Sequence, residues 1–195
     1  MNISIVIPCL NESETLQICL DKIKKEIYET KLKAEIIVAD NGSSDGSLEI
    51  AKKNNVKIIN VTKKGYGYAI RAGIDASVGE YILIADADNS YDFNELSNFY
   101  NKIHAGFDIV QGCRLPSGGG KIEKNAMPVT HRLIGNPFFS FISRILFKLP
   151  FNDVYCGMKI IRREFFQKID FFSGGMVWCL EILIKSKVNS AKSSE

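Results

Sequence analysis

Two aspartates, Asp86 and Asp88, follow directly after the apolar residues YILIA at positions 81–85. Residues two apart in a strand project to the same side, so the two carboxylates would form one group of oxygen ligands. Carboxylate oxygens suit Mg²⁺ or Mn²⁺, and like-charge repulsion at the end of a buried strand is costly unless a cation offsets it. The spacing therefore predicts a divalent-cation site, with a pair of solvated turn acids as the alternative.

Polar clusters also follow three other apolar runs. They are PCLNE at 8–12, DNGSSDG at 40–46 and GCR at 112–114. In open parallel sheets, ligands bind outside the carboxyl ends of the strands. Each cluster alone could be an ordinary turn or helix cap, for which Ser13 and Ser44 are suitable N-cap residues. Four clusters at one edge of a sheet favour a binding site.

Several other kinds of site are disfavoured by the motifs that are missing from the sequence. Neither G-x-G-x-x-G after the first apolar run nor G-x-x-x-x-G-K-[ST] occurs, which disfavours dinucleotide oxidoreductases and P-loop enzymes. The sole G-x-G, at 65–67, follows Lys63 and Lys64 and either admits a ligand close to the backbone or forms a plain turn. His104 and His131 have no partners at a spacing that indicates a catalytic set.

The elements that must position these residues alternate along the first half of the chain. Apolar runs typical of strands buried on both faces lie at 3–7, 34–39, 56–61, 80–85 and 108–112. Helical patterns lie between them, beginning near Ser13 and then covering 48–54, 68–76 and 93–105. This alternation predicts an α/β fold, with a parallel sheet and helices on both of its faces.

The pattern changes after residue 112. Residues 113–128 are rich in glycine and predict an irregular loop. The segment PFFSFISRILFKLPF at 137–151 is strongly apolar but carries Arg144 and Lys148, which indicates a helix either in a membrane interface or capping the core. A last helix is predicted over 176–187. We find neither a signal peptide nor an apolar run of about 20 residues that would span a bilayer.

Composition and charge restrict the possible partners. The five cysteines are scattered without a C-x-x-C pair, which favours a reducing compartment over a disulfide framework or zinc site. The net charge of +3 divides into −3 for residues 1–120 and +6 for residues 121–195. The acidic part could hold a cation and the basic part could face an anion or an anionic membrane. Lys and Arg are spread out rather than clustered with aromatic residues, so we expect no nucleic acid partner.

An ordered series of motifs resembles those of the inverting family 2 glycosyltransferases. The motifs are IVIPCLNE (5–12), IIVADNGSSDGS (36–47), KKGYGYAIRAGI (63–74) and GEYILIADADNSYDF (79–93). Three further segments resemble the branch of polyprenyl-phosphate (dolichol-phosphate type) hexosyltransferases, namely MPVTHRLIGN (127–136), DVYCGMKIIRR (153–163) and FFSGGMVWCLEILIKS (171–186). The similarity extends from residue 3 to about 187.

The resemblance implies a GT-A type nucleotide-diphospho-sugar transferase fold and a role for particular residues. Pro8, Asn11, Glu12, Asp40, Gly65 and Asp86 are the implied nucleotide-binding residues, and Asp86, Asp88 and Ser90 are the implied metal ligands. Arg114 and Arg132 match arginines that meet phosphate groups and, with Asp88, are expected to be catalytic. Two positions depart from the family pattern: Asn41 replaces the second acid of an Asp-Asp pair, and Val177 replaces an acid, which leaves Glu181 as the acid of that region.

The resemblance also implies an activity. We expect an inverting transfer of a hexose from a UDP- or GDP-hexose to a polyprenyl phosphate, with Mg²⁺ or Mn²⁺, at the cytoplasmic face of a membrane. An acceptor phosphate is already largely anionic at neutral pH and needs no strong base. A hydroxyl acceptor would need one, and Asp153 is then the candidate, unless it is a capping acid.

We expect residues 1–195 to form one catalytic domain. A nucleotide-sugar-binding half would cover 1–112 and an acceptor half 113–195, and the chain would end before the membrane helices that follow in relatives. Other readings of the sequence are a sugar-1-phosphate nucleotidyltransferase, a transferase acting on a polysaccharide or other hydroxyl, and a non-catalytic nucleotide-sugar-binding domain.

Overall fold

The structure is a computed structural model that describes residues 2–116 and 136–195. Within these residues, seven strands form one sheet in the order β3-β2-β1-β4-β6-β5-β7. The strands are β1 (Ile3–Cys9), β2 (Ala34–Asp40), β3 (Lys57–Asn60), β4 (Tyr81–Ile84), β5 (Ile109–Gln111), β6 (Lys159–Arg162) and β7 (Ser193–Ser194). The helices described are α1 (Leu16–Thr30), α2 (Ser47–Lys53), α3 (Tyr66–Asp75), α4 (Leu96–His104), α5 (Asn136–Phe147), α6 (Arg163–Phe166) and α7 (Trp178–Val188), with a 3₁₀ turn at Phe93–Glu95.

The sheet is mostly parallel. β1 pairs in parallel with β2 and β4, β2 with β3, and β5 with β7, whereas β6 runs antiparallel between β4 and β5. The predicted fold class is confirmed, and the five predicted strands are present with ends within two residues of the predicted ones. β6 was not predicted, because its four residues KIIR place only two apolar side chains between two charged ones.

Helices cover both faces of the sheet, as predicted. Ile3, Ile5 and Ile7 of β1 pack with α1 and α4 on one face, and Val6 packs with α3 and α7 on the other. The helical residues in the first cluster include Leu16, Leu20, Ile23, Leu96, Phe99 and Ile103, and those in the second include Ile70, Ile74, Trp178, Ile182 and Leu183. Burial on both faces explains why β1 is a nearly continuous apolar run, with Ser4 as its buried polar residue.

The second half of the chain completes the sheet of the first half. β6, which follows the proposed division at residue 112, lies between β4 and β5, which precede it. The division into two halves therefore remains a prediction about ligand binding and does not mark a break in the sheet. Among the helices of residues 2–116 and 136–195, none is long and apolar enough to cross a bilayer. The predicted loop at 113–128 falls largely outside the described residues.

Candidate functional site

The loops that follow β1 and β2 are bound to each other at the carboxyl edge of the sheet. The backbone N–H of Asn11 donates to Ser43 Oγ (3.0 Å), and the Asn11 side-chain oxygen accepts from the Ser44 N–H (2.8 Å). Asn11 has a left-handed backbone conformation with φ 58°, which asparagine tolerates better than most residues. The Glu12 N–H donates to Ser47 Oγ (2.9 Å). Two regions that the sequence predicted to share an edge are thus in direct contact.

Asp40 and Asn41 hold the end of β2 in different ways. The buried Asp40 carboxylate accepts hydrogen bonds from the N–H groups of Gly42 (3.0 Å) and Ser43 (3.1 Å), so this acid builds the turn. The buried Asn41 amide donates to the carbonyls of Val61 (3.1 Å) and Lys63 (2.9 Å) and accepts from the Gly65 N–H (2.7 Å).

This arrangement explains why Asn41 departs from the acidic family pattern. An ionised aspartate could accept the hydrogen bond from Gly65, but it has no donor for the two carbonyls. The amide therefore connects the end of β2 to the loop that precedes α3.

Gly65 and Gly67 admit another part of the protein close to the start of α3. A Cβ on Gly65 would lie 2.3 Å from the Gly174 carbonyl oxygen, and one on Gly67 would lie 2.3 Å from that of Ser173. The Gly174 oxygen accepts hydrogen bonds from the N–H groups of Gly67 (2.8 Å) and Tyr68 (3.3 Å). The G-x-G motif is therefore required for contact with the segment 171–177, whatever contact Gly65 also makes with a ligand.

Glu181 holds the segment 171–177 in place. Its carboxylate accepts from the N–H groups of Phe172 and Ser173, both at 2.9 Å, and pairs with Lys185 at 2.8 Å. Burial raises the pKa of Glu181, but the hydrogen bonds from Lys185 and the two backbone N–H groups outweigh it and lower the pKa to about 2. The acid retained in this region thus has a positioning role toward the segment.

Asp86 lies just beyond the end of β4 and is enclosed by two tyrosines and a glycine. Tyr66 Oη donates to Asp86 Oδ1 (2.6 Å) and Tyr91 Oη donates to Asp86 Oδ2 (2.8 Å). A Cβ on Gly157 would lie 2.3 Å from Asp86 Oδ2, so only glycine fits there. Burial raises the pKa of Asp86, and the tyrosine hydrogen bonds oppose that rise.

Asp88 differs from Asp86 in being exposed. Its Oδ1 accepts a hydrogen bond from the backbone N–H of Ser90 at 3.0 Å, so Ser90 is adjacent to the carboxylate. The negative charges of Asp88 and Asp86 also act on Glu12. Burial, followed by these two charges, raises the pKa of Glu12, and the hydrogen bond from Thr15 opposes the rise. The carboxyl edge therefore concentrates negative charge from two loops.

The donor set fits a divalent cation whose coordination is completed by a ligand. Within residues 2–116 and 136–195, no cluster of three or more His, Cys, Asp or Glu side chains could enclose a metal ion. Asp86 and Asp88 provide two carboxylates and Ser90 a hydroxyl, all hard oxygen donors. Mg²⁺ is commonly held by one or two carboxylates together with substrate phosphates. Two carboxylates and one hydroxyl are therefore enough protein ligands for a cation that also binds a substrate phosphate.

Arg114 and Asp153 form an ion pair beneath the same edge. Arg114 Nε lies 2.8 Å from Asp153 Oδ2 and Nη2 lies 3.1 Å from Oδ1, with side-chain exposures of 20% for Arg114 and 0% for Asp153. Burial lowers the pKa of Arg114, but the hydrogen bonds and charge of Asp153 outweigh it and raise the pKa. The structure thus brings together two predicted catalytic residues, with the candidate base already occupied by a guanidinium.

A cleft of about 810 Å³ lies between α4 and the ends of β5 and β6, and its lining includes Ser90, Tyr91, Arg114 and Cys156. Arg132, the other predicted phosphate-binding arginine, lies outside the described residues.

Sequence reasoning assigned no role to Tyr66, Tyr91 or Gly157. The motifs GYG and DNSY contain the two tyrosines, but spacing alone does not reveal that both hydroxyls reach one carboxylate.

The sheet, its helices and the loops at its carboxyl edge define a GT-A fold. Among solved structures, glucosyl-3-phosphoglycerate synthase from Mycobacterium tuberculosis, in complex with Mn²⁺, UDP and phosphoglyceric acid, is similar with a TM-score of 0.75. The identity is 19%, and the similarity covers 99% of this chain and 67% of that chain. At this identity the likeness establishes the fold alone.

The family model described as glycosyl transferase family 2 matches residues 4–170. This chain therefore belongs to glycosyltransferase family 2.

The low-salt glycan biosynthesis hexosyltransferase Agl6 of Haloferax volcanii is 31% identical over 194 residues, which are 99% of this chain and 46% of that relative. The dolichyl-phosphate hexose transferase of the same organism is 29% identical over 169 residues, which are 87% of this chain and 70% of that relative. This chain thus spans about half the length of the first relative, and the two names support the hexosyltransferase branch.

Proposed function

We propose that this chain is the catalytic domain of an inverting, metal-dependent glycosyltransferase. The reaction would move a hexose from a UDP- or GDP-hexose to a polyprenyl phosphate, such as dolichyl or undecaprenyl phosphate. The observation that carries the proposal is the placement of Asp86 and Asp88 directly after β4, which runs parallel to β1, at the edge where the loops after β1 and β2 are bound to each other, in a family 2 chain. A relative named a dolichyl-phosphate hexose transferase and a fold neighbour holding Mn²⁺ and UDP support it.

On the donor side, Asp86, Asp88 and Ser90 would hold Mg²⁺ or Mn²⁺. The cation supplies positive charge where the departing diphosphate becomes more negative. The nucleotide would lie along the bound loops after β1 and β2, near Pro8, Asn11, Glu12, Asp40 and Gly65. Among the described residues, the Arg114 side chain donates to Asp153 through Nε and Nη2. We expect its Nη1 to donate to a phosphate, and Arg132 is proposed to do the same.

On the acceptor side, the arrangement of Asp153 favours a phosphate over a hydroxyl. A general base must reach the proton that it removes. Asp153 is buried and both of its carboxylate oxygens accept from Arg114. A phosphate acceptor needs no such base because it is already largely anionic near neutral pH.

Transfer of label from donor to lipid tests this function. Incubating the chain with radiolabelled UDP- and GDP-hexoses, polyprenyl phosphate and Mn²⁺ is expected to move label into the organic phase, and removing the metal with EDTA should stop this. Label that instead enters a water-soluble polysaccharide would show a hydroxyl acceptor. Donor binding without turnover, with lipid supplied, would show a non-catalytic binding domain.

Helix α5 has its apolar side chains on the outside. Ser140 and Ser143 are buried, whereas Leu146 and Phe141 are 67% and 57% exposed. The other exposed apolar residues of this helix are Phe138, Phe139, Ile145 and Phe147. This pattern is the reverse of that expected for a helix packed on a core and exposed to water. Of the two roles predicted for 137–151, the structure supports the surface role, although Leu149 and Phe151, which follow the helix, are buried.

We propose that α5 contacts the membrane that holds the acceptor lipid. The helix carries Arg144, and Lys148 follows it, so apolar burial and attraction to anionic lipid act together. We propose that this is the cytoplasmic face, a reducing compartment in which the five free thiols would stay reduced.

Liposome cosedimentation tests the role of α5. The chain is expected to sediment with anionic vesicles, and less of it should do so in high salt. The double variant Phe141→Ser, Leu146→Ser should reduce the bound fraction by about tenfold or more. Each substitution removes apolar area that contributes about 1.5–3 kcal/mol when it is buried. Tyr28→Ser on α1 is the matched control, since Tyr28 is 84% exposed and lies on another helix. Equal binding by the double variant and the control would contradict the membrane role of α5.

A further inference from the structure

Three separate parts of the chain meet at the Asp86 carboxylate. Tyr66, the first residue of α3, donates to Oδ1 at 2.6 Å, and Tyr91, from the loop before α4, donates to Oδ2 at 2.8 Å. The Gly157 N–H, just before β6, donates to Tyr91 Oη at 2.8 Å. Each Asp86 oxygen therefore accepts one hydroxyl hydrogen, and one of those hydroxyls is itself fixed by the backbone.

The surroundings leave the carboxylate little freedom to rotate. Tyr91 is buried, and the space where Gly157 would carry a Cβ is filled by Asp86 Oδ2 at 2.3 Å and Tyr91 Oη at 2.6 Å. Asp88, two residues further on, is exposed, with a backbone hydrogen bond from Ser90. The two acids of the motif thus differ: one is held rigidly and the other faces solvent.

A carboxylate oxygen has two lone pairs, so within residues 2–116 and 136–195 the hydroxyl hydrogen bond on each Asp86 oxygen leaves one lone pair on each for a cation. Hydrogen bonds from surrounding groups orient metal-binding carboxylates, and their loss commonly weakens metal binding. A rigid ligand also loses less conformational freedom when the metal binds.

We propose that Tyr66 and Tyr91 are positioning residues that set the affinity of the Asp86–Asp88 pair for a divalent cation. This inference rests on the metal site of the proposed function. It assigns the two hydroxyls a role in metal binding, in addition to the packing of the two rings. Gly157 belongs to the same arrangement because any side chain there would displace Asp86 or Tyr91.

Mn²⁺ binding measured by the electron paramagnetic resonance of free Mn²⁺ tests the proposal on the full chain, with UDP added to complete the coordination. Tyr66→Phe and Tyr91→Phe each keep the ring and remove the hydroxyl. Each is expected to weaken Mn²⁺ binding by about 10- to 100-fold. Tyr28→Phe, at an exposed tyrosine of α1, should bind Mn²⁺ as the unmodified chain does.

Asp88→Asn separates failure of this inference from failure of the metal site itself. If Asp88→Asn binds Mn²⁺ like the unmodified chain, the metal site is wrong and the inference falls with it. If Asp88→Asn loses Mn²⁺ while both phenylalanine variants retain it, the metal site stands and the positioning role is overturned.

Circular dichroism and urea unfolding of each variant show whether the fold survives. If Tyr91→Phe does not fold, Tyr66→Phe, on a different element, decides the matter. Loss of folding in both variants would also overturn the proposal, because the hydroxyls would then serve the stability of the core.

Discussion

Replacing Asp88 by alanine is expected to remove metal-dependent binding of the nucleotide-sugar donor while the fold remains intact. Asp88 is exposed, and among the described residues its side chain accepts one hydrogen bond, from the N–H of Ser90, so it contributes little to the core. As a proposed direct ligand, it should matter more than outer groups, whose loss costs about 10- to 100-fold in metal affinity. We therefore expect a loss above about 100-fold in donor affinity, measured by calorimetry with UDP- and GDP-hexoses in Mn²⁺.

Asp75→Ala is the matched control for this experiment. Asp75 is an exposed acid at the last residue of α3, where it forms a long ion pair with Arg71 (3.9 Å). Its replacement removes the same charge from the surface without touching the edge of the sheet where the acids gather. Donor affinity that is unchanged in Asp88→Ala would contradict the metal role of this aspartate.

Replacing Asp153 by alanine is expected to lower the free energy of unfolding by about 3–5 kcal/mol, the cost typical of breaking a buried ion pair from one side. The variant would leave the Arg114 guanidinium, 20% exposed, without the carboxylate that binds it at 2.8 and 3.1 Å. Arg114→Lys should also destabilise the protein, but less, because lysine keeps the charge and lacks the planar fork. Urea unfolding monitored by circular dichroism measures both effects.

Asp170→Ala, at an exposed acid before the segment 171–177, provides the control, and its unfolding free energy should change by less than about 0.5 kcal/mol. The two roles considered for Asp153 have opposite signatures. A catalytic base would lose activity toward a hydroxyl acceptor with little change in stability. Retained stability in Asp153→Ala would therefore overturn the structural role and restore the base as the better interpretation.

Local pattern was sufficient to predict the first five strands and the edge where the polar clusters meet. A strand buried on both faces reads as a short apolar run, and parallel strands place their carboxyl ends at one edge. Hence the loop of Asn11 was expected to approach that of Ser43, and the two are hydrogen bonded. These properties depend on residues close together in the chain, which a single sequence displays directly.

The tertiary structure decided which distant groups contact one another. Tyr66, Asp86 and Gly157 converge over a separation of about ninety residues, and the Arg114–Asp153 pair spans thirty-nine. The polarity of Lys159 indicates exposure, yet this residue of β6 is fully buried, with its ammonium donating to the carbonyls of Cys156 and Gly157.

The sequence pattern likewise did not show whether the apolar face of α5 points toward the core or away from it. An apolar helix can face a core or an apolar surface outside the protein, and both give the same sequence periodicity. In the structure Ser140 contacts the protein, where its hydroxyl accepts from the Val154 N–H, and the phenylalanines face outward. The sequence by itself determined the first five strands, the helices between them and the edge where their polar ends meet. The partners of each side chain depended on the packing of distant segments, because contacts between residues far apart in the chain leave no periodic signal within it.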